Sequence, residues 1–195
     1  MKDVVDRTVQ ESIRVKKSFF EKNADLVLTA ARRLATCAGS GHKVLIFGNG
    51  GSAADAQHIA AEFVNRFAVE RRPLPAVALT TDTSILTAVA NDYAFDEIFS
   101  KQVQALGKQG DIAWGISTSG NSKNVLVAMD MARDMGLGTL GLTGCGGGAM
   151  AERYELNLTV DSNNTPRIQE THITVAHVLC DLVERLLFPE SFMEE

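Results

Sequence analysis

The chain has 195 residues, 45% hydrophobic and 22% charged, a balance that supports a packed core and excludes a disordered polypeptide. A net charge of −5 and a pI near 5.4 exclude a broad nucleic-acid or anionic-membrane surface, while leaving room for a small basic pocket. Three widely spaced cysteines, Cys37, Cys145 and Cys180, form no CxxC pair and read as reduced thiols of a cytoplasmic protein. The opening MKDVVDRTVQ has no apolar signal core, and the apolar runs are too short to span a bilayer.

In chain order, two amphipathic helices are expected over 3–21 and 24–38, then a strand over 42–48 (HKVLIFG). A helix over 53–67 follows, then a strand over 75–80 and helices over 84–90 and 94–106. Strand 111–117 (DIAWGIS), helix 122–135, and strands 138–144 and 155–160 come next. Thr165-Pro166 reads as an N-cap followed by proline at the first helical position, opening a last helix to about Leu187. Short Val-, Ile- and Leu-rich strands alternating with helices predict an α/β three-layer sandwich with a five-stranded parallel sheet. The two leading helices exceed what such a sandwich needs, so they either pack between subunits or cover one sheet face.

Ligands of open parallel sheets bind beyond the carboxyl ends of the strands. Two segments there are unusual: GNGGSAADAQH (48–58) and STSGNS (117–122). Each turns from a strand into a helix N-terminus, where unpaired N–H groups and the positive dipole end favour an anion. Hydroxyls add donors and glycines admit close approach, so a phosphate is the natural guest. The alternative is that these residues simply cap helices and make turns. Neither segment contains GK[ST] or completes GxGxxG, which argues against a nucleotide.

His58 and Glu62 lie one turn apart on one helix face, a spacing suited to metal binding, acid/base chemistry or a surface contact. Arg66 continues that face and either reaches a phosphate or pairs with Glu62. In RIQETHITVAH (167–177), the polar residues of interest are Gln169, His172 and His177; His172 reads as structural. Asn91 and Asp92 follow a short helix, where they would cap the next one.

GNGGSAADAQH, VANDYAFDEIFSKQV, GISTSGNS and RIQETHITVAH together resemble the phosphoheptose isomerases, sedoheptulose 7-phosphate isomerases of the sugar isomerase (SIS) fold, over residues 40–188. The resemblance implies one SIS domain over 1–195, with residues 1–40 in the contacts of a homotetramer whose active sites are shared between subunits. It implies that Asn49, Gly50, Gly51, Ser52, Arg66, Asn91, Asp92 and Gln169 line the sugar pocket with Glu62. Ser117, Thr118, Ser119 and Ser122 would hold the phosphate. Glu62 and His177 would be the catalytic pair, and His58, Glu62, Gln169 and His177 a zinc site. Pro166 departs from the pattern, since some members carry an acid there.

The implied reaction converts sedoheptulose 7-phosphate to D-glycero-D-manno-heptose 7-phosphate through an enediol, for lipopolysaccharide or other surface polysaccharide. Glu62 would be the base at carbon and His177 its partner, or the reverse. Gln169 and His177 stand eight apart, about 12 Å along a continuous helix. Either that helix is distorted near its start, or His58, Glu62 and His177 hold the ion. The fold also admits two other readings: a non-catalytic tetramer that binds the replication initiator DnaA, whose members lack Glu and His at the positions matching Glu62 and His177, and a sugar-phosphate sensor without turnover.

Overall fold

The computed structural model describes residues 1–193. The last two residues of the domain expected over 1–195 lie outside the described residues. Five strands form one sheet: β1 (Val44–Gly48), β2 (Ala76–Ala78), β3 (Ile112–Ser117), β4 (Gly138–Thr143) and β5 (Leu156–Thr159). Their order is β2-β1-β3-β4-β5, and every pairing is parallel. The helices are α1 (Lys2–Gly39), α2 (Gly51–Val64), α3 (Thr83–Asp92), α4 (Ser100–Leu106), α5 (Lys123–Asp134) and α6 (Thr165–Leu187).

Alternation along each strand sends side chains to opposite faces. Val44 and Ile46 of β1 join Trp114 and Ile116 of β3 in a core closed by α1, α2 and α6. Leu45 and Phe47 point the other way, into a second core with Val103 of α4 and Val125 and Met129 of α5. A three-layer α/β sandwich results, as the alternation of strands and helices predicts.

Several boundaries differ from the sequence expectation. The two leading helices are one, because residues 21–24 hold no glycine or proline; the Asn23 amide instead donates back to the Phe19 carbonyl (2.9 Å). β2 shortens to three residues because, at the sheet edge, it pairs with β1 alone. The expected helix over 94–106 splits into a 3₁₀ turn, Phe95–Glu97, and α4. At the start of α6 the N-cap is Asn164, and Thr165 is already helical.

The order of strands creates a switch point. From β1 the chain crosses to β2 on one side, whereas β3 lies on the other. The loops leaving β1 and β3 therefore diverge, and a crevice opens between their carboxyl ends, where doubly wound sheets place ligands.

Candidate active site

Both unusual loops flank that crevice. After β1, Gly50 has φ +55° and leads into α2, which begins at Gly51. A side chain at Gly51 would overlap the Gln169 side-chain amide, so glycine there lets that amide lie against the first turn of α2. After β3, the Ser117 hydroxyl meets the Ser122 hydroxyl at 2.9 Å and lies 3.5 Å from that of Ser119. Gly120 takes φ +65°, against the backbone of the glycine-rich loop after β4. Ser122 is the N-cap of α5, but its hydroxyl does not cap the helix, so the first-turn N–H groups stay available beside a cluster of hydroxyls. Ser119 is exposed and Thr118 half-buried.

The loops are tied together. The side chains of Asn49 and Asn124 exchange two amide hydrogen bonds, 2.8 and 2.9 Å long. The Asn121 side-chain oxygen Oδ1 accepts from the Ala149 N–H (2.9 Å), which fixes the serine loop to the loop after β4. Unlike Asn49, Asn121 and Asn124 did not stand out in the sequence. Asn124 is buried in the first turn of an otherwise amphipathic helix, and that misplaced polar residue was the available signal.

α2 and α6 lie side by side and bring a second group of candidates together. Nε2 of His58 lies 2.9 Å from Nε2 of His177, and Oε1 of Glu62 lies 3.5 Å from His58 Nε2. One imidazole must donate to the other, so the two cannot both be doubly protonated in this arrangement. Burial holds the His177 imidazole below its ordinary pKa, and the neighbouring His58 adds to the shift while Glu62 opposes it. The net shift favours the neutral form of His177.

Other candidates stand apart from this group. α2 ends at Val64, so Arg66 does not extend the His58–Glu62 face; its guanidinium pairs with Glu70 (3.5 Å) rather than Glu62. Asn91 and Asp92 close α3 instead of capping the next helix; the Asn91 amide donates to Asp92 (2.8 Å) and both are exposed. α6 is continuous, so Gln169 remains about 12 Å from His177 along the axis. Gln169 instead borders a cavity of about 410 Å³ with Asp55, Pro166 and Glu170. Burial lifts the Asp55 carboxyl to about 6, against the pull of His58. His172 is a core residue, with Nε2 2.9 Å from the Thr143 carbonyl. A cavity of about 510 Å³ opens at the opposite end of β3 and β4, by Arg32 and His42, away from every candidate.

Two imidazoles and a carboxylate are donors that zinc takes, so His58, Glu62 and His177 fit the ion by chemistry. Their contacts are pairwise, however, and among the described residues no group of three or more His, Cys, Asp or Glu side chains is arranged as a metal cluster. Gln169 does not reach this group within one chain.

A parallel sheet with this strand order and a hydroxyl-rich strand-to-helix turn at its carboxyl edge places the chain among the doubly wound α/β proteins. The chain matches the SIS domain family over residues 9–144. It is 59% identical over 95% of its length to the phosphoheptose isomerase of Nitratidesulfovibrio vulgaris strain Hildenborough, covering 88% of that protein. Identity to the Roseiflexus phosphoheptose isomerase is 54%, over 96% of this chain and 94% of the relative. The solved phosphoheptose isomerase of Neisseria gonorrhoeae superposes with a TM-score of 0.89 at 45% identity, covering 94% of this chain and 98% of that one. That of Francisella tularensis gives 0.90 at 40%, covering 94% and 97%. The chain belongs to the SIS domain family and, within it, to the phosphoheptose isomerases.

Proposed function

We infer that this protein is a ketose–aldose sugar phosphate isomerase that interconverts sedoheptulose 7-phosphate and D-glycero-D-manno-heptose 7-phosphate. The observation that carries the reading is the approach of His58 to His177 at 2.9 Å, with Glu62 one turn away, beside two loops suited to a phosphate. The solved relatives support it as well.

In this reading Ser117, Thr118, Ser119 and Ser122 bind the phosphate with the N–H groups at the start of α5, where the helix dipole favours negative charge. Asn49, Gly50, Gly51 and Ser52 line the sugar chain. Anchoring the phosphate orients C1 and C2 near the histidine–glutamate group. Glu62 removes the proton from C1 of the ketose, the C1–H electrons form the C1=C2 bond of a cis-enediol, and the carbonyl oxygen at C2 takes up a proton. Protonation of C2 and loss of the O1 proton then give the aldehyde. His177 moves the proton between the two oxygens. His58, Glu62 and His177 would hold a zinc ion, which supplies Lewis-acid polarisation of the sugar oxygens when bound.

The protein is proposed to act in the cytoplasm, in making heptose precursors of lipopolysaccharide or related polysaccharide, and as a homotetramer. Among the described residues no helix is long and apolar enough to cross a membrane. α1 exposes Val5, Val9 and Ile13 along one stripe, and α3 buries none of its residues, as surfaces awaiting a partner copy would. Arg66, Asn91, Asp92 and Gln169, which stand away from the histidines in one chain, would complete the pocket in that assembly. The non-catalytic DnaA-binding alternative is not favoured by the relatives described above, which are phosphoheptose isomerases.

The test is turnover of sedoheptulose 7-phosphate in deuterated water, with and without added zinc, followed by NMR. Aldose carrying deuterium at C2 is the expected product. No aldose under either condition overturns the reading.

A further inference from the structure

Behind the histidine–glutamate group lies an ion pair that no proton transfer above uses. Arg71 and Glu184 meet at 2.9 Å, and both side chains are only 1% exposed. Their reach is unusually specific. The Glu184 carboxylate accepts from the backbone N–H groups of Phe67, Ala68 and Val69 at 2.7, 2.8 and 3.1 Å, holding the turn after α2 against α6. The Arg71 guanidinium donates to the carbonyl oxygens of Glu62 and Phe63, both at 2.7 Å. Phe67, whose backbone the carboxylate holds, lays its ring against the His177 imidazole, with centroids 5.5 Å apart.

We propose that Arg71 and Glu184 are positioning residues of the isomerase site: Arg71 fixes the backbone of Glu62, and Glu184 fixes the Phe67 ring that sets the His177 imidazole. This rests on the isomerase reading. The physical case is that of a buried charge pair whose hydrogen bonds to the backbone all go to the end of α2 and the turn that follows it. Stability alone does not call for such a pair, since an apolar replacement of similar volume commonly folds as well or better. What an apolar pair cannot do is grip the last-turn carbonyls of one helix and three successive N–H groups of the turn that follows it. The pair also spans two elements: Glu62 and Phe67 belong to α2 and its exit turn, and Glu184 stands seven residues beyond His177 on α6. It therefore sets the distance between the side chain that handles the carbon-bound proton and the side chain that moves the proton between the oxygens. A misplacement of about 1 Å at such a site costs on the order of 100-fold in rate.

The test uses Arg71→Lys, which keeps the cation beside Glu184 but loses the planar fork, and Phe67→Leu, which leaves the ion pair intact and removes the ring. Kinetics are normalised to folded protein, and the His177 ring resonances are followed by NMR. For both variants the expected result is kcat reduced at least tenfold, KM for the sugar phosphate within about twofold of the parent, and a displaced His177 signal. A lower melting temperature with kcat and the His177 signal unchanged would show a purely structural pair and overturn the proposal. Phe67→Leu reads the same contact should Arg71→Lys fail to fold. A parent protein without turnover would sink the isomerase reading and this proposal with it; in an active parent, an unmoved His177 signal in both variants sinks this proposal alone.

Discussion

Asn49 and Asn124 close a reciprocal pair of amide hydrogen bonds across the mouth of the crevice, joining the loop after β1 to the first turn of α5. Each amide satisfies the other, and together they set the separation between the loop after β1 and the serine-rich turn after β3. Asn124→Ala leaves the Asn49 amide without its partner in a half-buried site, at a cost of about 1–3 kcal/mol. The expected outcome is a lower melting temperature together with a raised KM for the sugar phosphate. The double variant with Asn49→Ala should be less destabilised than the sum of the two single variants, a coupling that urea titration measures directly.

Glu62→Gln keeps the size of the side chain and removes its basicity. Loss of one general acid–base group costs typically 10²–10⁴-fold. A fall in kcat of that order is expected, with an unchanged circular dichroism spectrum because Glu62 is partly exposed and its side chain lies outside both cores. An active Glu62→Gln protein would exclude Glu62 as the base. His177→Asn is expected to lose comparable activity.

Ser119 is exposed, and its hydroxyl accepts only from the Asn121 N–H within its own turn (3.2 Å) and approaches Ser117. Ser119→Ala should therefore fold normally. A hydrogen bond to a charged group contributes about 1.5–3 kcal/mol, so KM should rise roughly 10- to 100-fold and inhibition by inorganic phosphate should weaken in step. Unaltered KM and phosphate inhibition would remove Ser119 from the phosphate site.

His172 is wholly buried against the Thr143 carbonyl, and burial lowers its pKa to about 4 from an ordinary 6.5. The unfolded chain therefore binds a proton between those values that the folded chain refuses. Its contribution is present above pH 6.5 and is lost as pH falls toward 4, amounting to roughly 3 kcal/mol. The pH dependence of unfolding in urea tests this. His172→Gln should flatten the slope in that window, whatever its effect on stability at pH 7.

Periodicity and turn chemistry suffice to read much of this protein from its residues. The five strands were legible because buried parallel strands are short, β-branched and continuous, and the serine-rich strand-to-helix turn because hydroxyls and glycines crowd it. His58 and Glu62 were legible as neighbours because four residues make one helical turn. Glu184 left a trace too: with Cys180, Val183 and Leu187 it falls on the apolar period of α6, where a charge needs a buried partner.

Tertiary structure decided the rest, because partners distant in sequence leave no local pattern. Nothing local pairs His177 with His58, Asn124 with Asn49 or Arg71 with Glu184. Nor does a local pattern say that α2 stops at Val64, which turns Arg66 toward Glu70, or that Asn91 and Asp92 end a helix instead of starting one. Helix ends are set by what the chain packs against, and the contacts between α2, its exit turn and α6 exist only once the sheet has brought those elements side by side.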